Sequence, residues 1–200
     1  MSKLDRIRWE LWSLVAKASL KAKGVTVGAK ARFLGMPIVS LQAGSRIAIG
    51  DRFVGTSRSD GTALGVRGPV ILRTLSPEGE ITIGNDVGMS GTVVCAASRV
   101  TIGARCLIGA DCMIFDTDFH NHAVGGGDEP YRRYARPDWS AISAPVVIGD
   151  DVFLGTRSIV AKGVTIGSGS IIAAGSVVTK DIPPNSIAGG VPAVVVKALK

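Results

Sequence analysis

The stretch from Val146 to Val178 reads VVIGDDVFLGTRSIVAKGVTIGSGSIIAAGSVV, and every sixth residue from Ile148 onward is aliphatic. The members of this series are Ile148, Leu154, Val160, Ile166, Ile172 and Val178. A helix repeats about every 3.6 residues and a half-buried strand about every 2, and neither period accounts for this spacing. A period of six indicates a chain that turns a corner at fixed intervals and sends one aliphatic side chain per straight segment to a common axis. The stretch therefore predicts an all-β fold, a parallel β-helix.

Three segments of six residues make one coil of the β-helix, with three flat faces and the outline of a triangular prism. Neighbouring strands should lie ~4.8 Å apart along the prism axis. One coil alone cannot bury its aliphatic side chains, so stacking of coils must create the core. The period predicts the following stacked pairs: Ile148 with Ile166, Leu154 with Ile172, and Val160 with Val178.

The repeat extends in weaker form over residues 24–190. Glycines and prolines in residues 55–80 predict loops that break one or two coils. Residues 115–145 interrupt the pattern as a protruding loop, and residues 191–200 are expected to form a short tail. Between residues 55–80 and residues 115–145 the aliphatic period returns in two series that are offset by one residue. These are Ile83, Met89 and Cys95, then Ile102, Ile108 and Ile114.

Residues 1–23 precede the repeat and predict an amphipathic helix. Trp9 and Trp12 point away from its aliphatic stripe. Two roles stay open for this helix. It either caps the open end of the β-helix, whose first coil would otherwise expose an edge, or touches a membrane surface through its tryptophans. The stripe consists of Leu4, Ile7, Leu11, Leu14, Val15 and Ala18.

The composition suits a narrow aliphatic core, with 46% hydrophobic residues, only 5% aromatic residues and 26 glycines. The formal net charge of +7 leaves open a plain basic surface or a site for an anionic partner. The basic residues are scattered and match no nucleic-acid-binding pattern, so we expect no nucleic-acid partner. The odd set of Cys95, Cys106 and Cys112, with no secretion signal, predicts small core residues in a reducing, cytoplasmic setting.

Two features together resemble the hexapeptide-repeat acyltransferases. One is the corner motif Ile-Gly-Asn/Asp at Ile83–Val87 and Ile148–Phe153, and the other is the run Ile172–Asn185 followed by Gly190–Ala193. The pattern over about residues 24–197 is most similar to the galactoside, maltose and polysaccharide O-acetyltransferase branch. The resemblance implies a left-handed β-helix and a homotrimer with active sites in the clefts between neighbouring prisms. It also implies acetyl-CoA as donor, and a sugar or polysaccharide precursor hydroxyl as acceptor.

The chain has two histidines, His120 and His122, and both lie in the long interruption. Acyl transfer to a hydroxyl needs a base, and histidine serves this role near neutral pH. The residues Asp116–His120 fit the Asp-x-Asp-Phe-His pattern of the family, so the resemblance implies His120 as catalytic base and His122 as second choice. Asp116, Asp118 or a backbone carbonyl could orient the ring. The spacing alone would also allow His120 to continue the aliphatic series into the core.

The resemblance implies further site residues. Ser90 stands where the galactoside enzymes place an asparagine near the acceptor, and Asp118 is assigned with it to acceptor binding. The remaining loop residues could recognise a glycan or contact another subunit: Asp128, Glu129, Tyr131, Arg132, Arg133, Tyr134, Arg136 and Trp139. The CoA-binding positions implied by the family are Phe153, Thr156, Ala174, Thr179, Lys180 and Lys197.

Other functions stay open. An N-acetyltransferase that acts on an amino sugar or xenobiotic would use the same donor, whereas a non-catalytic β-helix would serve as a scaffold. A zinc enzyme on this scaffold would normally need three histidine ligands, and the chain has two. We therefore expect no metal.

Overall fold

The computed structural model describes residues 3–121 and 137–199. The helices within these residues are α1 (Lys3–Ala22), α2 (Trp139–Ile142) and a 3-10 turn at Ser59–Gly61. The strands, numbered in chain order, form three sheets. The first sheet contains β1 (Thr26–Val27), β4 (Arg46–Ile49), β7 (Glu80–Ile83), β10 (Arg99–Ile102), β13 (Val146–Ile148) and β16 (Thr165–Ile166).

The second sheet is built in the same way but ends in an antiparallel pair, β19 with β20. Its strands are β2 (Arg32–Leu34), β5 (Val54–Thr56), β8 (Gly88–Ser90), β11 (Leu107–Ile108), β14 (Phe153–Leu154), β17 (Ile171–Ile172), β19 (Ser186–Gly190) and β20 (Ala193–Ala198). The third sheet contains β3 (Ile38–Ser40), β6 (Ile71–Thr74), β9 (Val93–Ala96), β12 (Met113–Phe115), β15 (Ile159–Val160) and β18 (Val177–Val178).

The chain visits the three sheets in rotation, so each coil contributes one strand to each face of a prism. Pairing between coils is parallel throughout these sheets up to β19. The predicted parallel β-helix is therefore confirmed. So are the three predicted stacked pairs, in which Ile148 is in register with Ile166, Leu154 with Ile172, and Val160 with Val178.

A column of isoleucines runs through the core along the first sheet. Its members are in register and at most 2% exposed: Ile49, Ile83, Ile102, Ile148 and Ile166. Full burial of one such side chain contributes about 1.5–3 kcal/mol. A single coil could not provide this burial, so the hydrophobic effect enforces the stacking.

The loop predicted within residues 55–80 interrupts one coil, since the chain between β5 and β6 leaves the coil and rejoins it, with Ile38 paired to Ile71. The expectation for β9 was wrong. The inward residue of β9 is Val94, which pairs with Ile114, and not Cys95. The corner before β9 is one residue shorter than its neighbour, with Gly91 in the left-handed region at φ 56°.

The Ile-Gly-Asn/Asp motif has a physical reason at the corner between the first and second sheets. A Cβ at Gly103 would lie 2.5 Å from Oδ1 of Asp150 and 2.6 Å from the carbonyl carbon of Gly149, which is closer than real Cβ atoms approach. The acidic residue then joins the coils, since Oδ1 of Asp150 accepts a hydrogen bond from the amide of Ala104 at 2.8 Å. Oδ1 of Asn85 does the same for the amide of Asp51, also at 2.8 Å.

The three cysteines are buried and reduced, as predicted. Burial raises the pKa of each thiol, and that of Cys112 reaches about 11. The thiol of Cys112 donates to the carbonyl oxygen of Gly155 at 3.2 Å.

We expect Ellman's reagent to detect almost no thiol in the native protein near neutral pH, and all three after unfolding. For Cys112, a pKa of about 11 lowers the thiolate fraction, and with it the reaction rate, at least about a hundredfold relative to an ordinary cysteine. Burial raises the pKa of Cys95 and Cys106 as well and keeps the reagent from all three thiols. Rapid labelling of the native protein at any of the three would contradict this placement, and free cysteine in the same buffer is the control.

Helix α1 lies against β1 and β2 at the open end of the prism, but the side that packs there is not the aliphatic stripe. Ser13, Ala16 and Leu20 are buried, whereas Leu11 and Leu14 are exposed. The reason is local. The amide of Phe33 has no coil beneath it, so Oγ of Ser13 accepts its hydrogen bond at 3.2 Å, and small residues allow this close approach. No helix among the described residues is long and apolar enough to cross a membrane.

Candidate functional site

The carboxyl edge of the third sheet, where its strands end, gathers several predicted residues. The segment Asp116–His120 follows β12, Lys162 follows β15, and Thr179 and Lys180 follow β18. These strands are neighbours and run parallel, so their ends lie side by side. The amide of Ala161 donates to the carbonyl of Val178 at 3.0 Å, which joins the corner after β15 to the end of β18. His120, Lys162 and Lys180 therefore belong to one edge of one face.

The stem of the long loop is clamped to this edge. Asp116 is fully buried, and its two carboxylate oxygens accept hydrogen bonds from the amides of Ala97 and Ser98, each at 2.7 Å. The amide of Ala144, at the far end of the loop, donates to the carbonyl of Asp116 at 2.8 Å. Burial raises the pKa of the Asp116 carboxyl, and the two amides oppose this effect. Asp116 is thus a structural clamp, which leaves Asp118 or a backbone carbonyl to orient the His120 ring.

Replacing Asp116 with asparagine should lower the free energy of unfolding by about 1–3 kcal/mol, because one of the two buried amides would face an NH₂ group and lose its acceptor. Urea denaturation measures this. Asp181→Asn is a matched control, since Oδ1 of Asp181 accepts a single exposed bond from the amide of Thr165, and an asparagine oxygen can replace it. Equal stability of the two variants would argue against the clamp.

The last turn of the stem directs His120 outward. Phe119 adopts the left-handed region at φ 64°, its amide donates to Oγ1 of Thr117 at 3.2 Å, and its ring packs 5.5 Å from that of Phe115. His120 is exposed as a result. The aliphatic series therefore stops at Ile114, and His120 does not continue it into the core.

A lysine that the sequence interpretation missed lies next to this turn. Lys162 forms an ion pair with the carboxylate of Asp118, and its Nζ also donates to the carbonyl of Ile142 at 3.2 Å. Both side chains are about one-third exposed, so the pair is open to solvent on one side. Lys162 occupies an ordinary corner of a regular coil, and only the stacking of coils reveals its proximity to Asp118. His122 and the predicted loop residues from Asp128 to Arg136 lie outside the described residues.

The amino edge of the third sheet, where its strands begin, carries a second set of predicted residues. The amide of Asp111 donates to the carbonyl of Ser90 at 3.0 Å, and the amide of Gly175 donates to the carbonyl of Thr156 at 2.9 Å. The hydroxyl of Thr156 donates to the carbonyl of Ala110 at 2.7 Å. Ser90, Thr156 and Ala174 thus belong to one column of corners.

A groove of about 420 Å³ lies along this amino edge, and its lining includes Arg67, Asp111, Met113 and Arg157. Neither arginine belongs to a recognisable motif, so sequence reasoning missed both. A larger groove of about 760 Å³ runs between α1 and β2, away from the predicted site residues. The smaller groove is the better candidate for substrate binding, because its lining residues Gly91 and Arg157 directly follow Ser90 and Thr156 in the chain.

The remaining predicted CoA positions are spread over the prism. Phe153 is 44% exposed on the outer face of the second sheet, just before the Thr156 corner. Lys197 is exposed in β20 of the same sheet. The two edges of the third sheet are about 15–20 Å apart, given ~3.3 Å per residue along a coil. One chain therefore does not bring Thr156 and Ala174 together with His120.

No group of three or more His, Cys, Asp and Glu side chains that could hold a metal occurs in residues 3–121 and 137–199.

The family model described as the hexapeptide repeat of succinyl-transferase matches residues 99–114 and 145–180, the coils on either side of the long loop. These coils match the pattern of hexapeptide-repeat proteins. The resemblance to the hexapeptide-repeat acyltransferases is thereby confirmed. The match stops at the loop, since the loop departs from the period.

Curated relatives of this chain include the galactoside O-acetyltransferase of Escherichia coli, 39% identical over 100 residues, which are 50% of this chain and 44% of the relative. Another is the 2,3,4,5-tetrahydropyridine-2,6-dicarboxylate N-acetyltransferase of Staphylococcus aureus, 44% identical over 55 residues, which are 28% of this chain and 23% of the relative. The chain thus matches less than half the length of these relatives.

Two solved structures share the fold of this chain. An N-acyltransferase from Bacillus cereus, in complex with dTDP and 3-hydroxybutyryl-CoA, aligns with a TM-score of 0.66 at 20% identity over 92% of this chain and 88% of that one. A hexapeptide-repeat-containing acetyltransferase from Vibrio cholerae aligns with a TM-score of 0.56 at 24% identity over 99% of this chain and 92% of that one. The predicted left-handed β-helix with a short N-terminal helix is confirmed.

Proposed function

We propose that this protein transfers an acetyl group from acetyl-CoA to a hydroxyl of a sugar or polysaccharide precursor, with His120 as general base. The observation that carries the proposal is the exposed His120 at the end of a clamped stem, beside the Asp118–Lys162 pair. The galactoside O-acetyltransferase relative supports the choice of an O-acetyl transfer.

The chemistry is a direct transfer. The His120 imidazole accepts the proton of the acceptor hydroxyl while that oxygen attacks the thioester carbonyl, which forms a tetrahedral oxyanion. Collapse of this intermediate breaks the carbon–sulfur bond, and the CoA thiolate takes the proton back from the imidazolium. Asp118, two residues before His120, or a backbone carbonyl would hold the ring in the required orientation. A general base contributes about 10²–10⁴-fold to such a step.

CoA would lie along the most regular coils. The ring of Phe153 and the corners at Thr156 and Ala174 would border the pantetheine arm, whereas Thr179, Lys180 and Lys197 offer a hydroxyl and two cations for its far end. All three of the latter side chains are exposed. Ammonium groups bind phosphate through charge-assisted hydrogen bonds.

The separation between the two edges supports a site shared by neighbouring chains in a homotrimer. The His120 edge of one prism would face the edge of the next prism that carries Ser90, Thr156 and Ala174. Exposed aliphatic side chains on the prism faces offer contact surface for this assembly, among them Leu107, Met113 and Val147.

Mixing two inactive variants tests this arrangement. His120→Ala removes the base, and Ala174→Trp fills the opposite edge. After unfolding and joint refolding, a shared site regains activity, because some clefts combine two intact edges. A site contained in one chain regains none.

Thiol release from acetyl-CoA, measured over a panel of sugars and amines, tests the activity itself. An O-acetyl ester is cleaved by hydroxylamine and an amide is not, so treatment of the product separates O-transfer from N-transfer. N-acetylation of an amino sugar or xenobiotic is the second candidate, since an N-acetyltransferase is among the curated relatives. Absence of thiol release with every acceptor, together with no CoA binding by calorimetry, would favour a non-catalytic scaffold.

A further inference from the structure

Helix α1 has an exposed aliphatic stripe on the side that faces away from the prism. Ile7, Leu11, Leu14 and Val15 are 51–63% exposed, although they are large aliphatic residues. Successive helical residues are about 100° apart, which places this stripe nearly opposite the buried Ser13, Ala16 and Leu20. The stripe is therefore an unpartnered face of a helix whose other face is already buried.

The direction of the stripe follows from the hydrogen bonds of β2. The amide of Arg32 donates to the carbonyl of Phe53 in the coil above, so the next amide along the strand, that of Phe33, points out of the open end. Ser13 accepts that amide. Helix α1 thus lies across the end of the prism, and its opposite side faces outward along the prism axis.

The net charge of helix α1 is positive, with five basic and two acidic residues in Lys3–Ala22. On one flank of the stripe Lys21 is exposed and Lys17 half-buried, with the exposed Glu10 between them. On the other flank Arg8 is exposed and forms an ion pair with Asp60 at 3.4 Å. A second copy of the same helix would bring like charges together, which disfavours self-association through this face. A surface with an apolar interior and negative head groups complements both features.

We infer that α1 docks this protein on an anionic lipid bilayer, with the stripe at the boundary between head groups and acyl chains and the lysines at the level of the phosphates. The sequence interpretation offered Trp9 and Trp12 for a membrane contact. The stripe takes their place in the inferred contact, because both tryptophans are half-buried on other sides of the helix. In the homotrimer proposed above, three stripes would face one plane, and binding would gain from their multiplicity. The docking itself does not depend on the acyl-transfer reaction.

Co-sedimentation of the full chain with vesicles tests the docking. We expect binding to vesicles of equal parts phosphatidylcholine and phosphatidylglycerol, weaker binding to phosphatidylcholine alone, and a decrease with added salt. In the double variant Leu11→Gln/Leu14→Gln, the partition coefficient onto anionic vesicles should fall at least about tenfold, because two apolar side chains are removed from the contact. Leu64→Gln is the matched control, since Leu64 is 73% exposed in the excursion between β5 and β6, and it should bind like the wild type.

Three results would overturn the inference: no binding of the wild type to anionic vesicles, equal binding by the double variant, or a smaller oligomer of the double variant in sedimentation equilibrium. The last result would make the stripe a contact between chains. Thermal unfolding checks that both variants stay folded, as expected for exposed positions. Thiol release with a soluble acceptor should be unchanged in the double variant, so failure of docking and failure of the proposed function are distinguishable.

Discussion

Replacing His120 with alanine is expected to lower turnover of acetyl-CoA at least about a hundredfold, because the acceptor hydroxyl would lose the base that takes its proton. Binding of CoA should stay near the wild-type value, since His120 lies at the carboxyl edge and most proposed CoA positions lie elsewhere. Thiol release under saturating substrates measures turnover, and calorimetry measures CoA binding. Thermal stability should also be unchanged, as the side chain is exposed.

His122→Ala is the matched control for this experiment, since it removes the other imidazole of the same loop. We expect its turnover to stay near the wild-type value. A large loss in His122→Ala with little loss in His120→Ala would refute the assignment and move the base to His122. Equal, small losses of turnover in both variants would indicate that neither histidine is the base and that the loop has a non-catalytic role.

The second large effect concerns stability. Gly103→Ala should lower the free energy of unfolding by about 3 kcal/mol, because the new methyl group would lie 2.5–2.6 Å from atoms of the next coil, two of which belong to its backbone. The coils would have to separate at a corner where Asp150 joins them. Urea denaturation monitored by circular dichroism measures the loss, and the thermal midpoint should fall by about 10 °C.

Gly68→Ala provides the control, since a Cβ at Gly68 has no atom within 4 Å. Its stability should stay within about 0.5 kcal/mol of the wild type, as for most surface substitutions. Unchanged stability of Gly103→Ala would contradict the close stacking at this corner. It would also remove the physical explanation offered for the Ile-Gly-Asn/Asp motif.

The regular half of the fold could be predicted because its period is local. Each hexad repeats the same problem of burying one aliphatic side chain and turning one corner, so Ile148 and Ile166 are paired by counting alone. The weaker repeats before residue 115 were harder to predict. Val94 replaces Cys95 as the inward residue because the corner before it is one residue shorter than the period and the corner after it is two residues longer. Both residues are apolar enough to fill either position.

Of the candidate site, the sequence could indicate the loop and its histidine, because a polar excursion from an aliphatic repeat is visible along the chain. The clamp by Asp116 and the pairing of Asp118 with Lys162 join residues from different coils, and their sequence spacing follows no motif. The same is true of Arg67 and Arg157 beside the Ser90 corner.

The sequence by itself determined the β-helix, the stacking of its regular coils and the position of the histidine-bearing break. It did so because the hydrophobic effect acts on a short, repeated pattern that can be counted. Only the tertiary structure decided which side of α1 packs, since an amide of Phe33 at the open end needed a partner and Ser13 could approach it where leucines could not. Only the tertiary structure, too, placed the predicted site residues on opposite edges of one sheet, because an edge exists only once parallel strands from separate coils lie side by side.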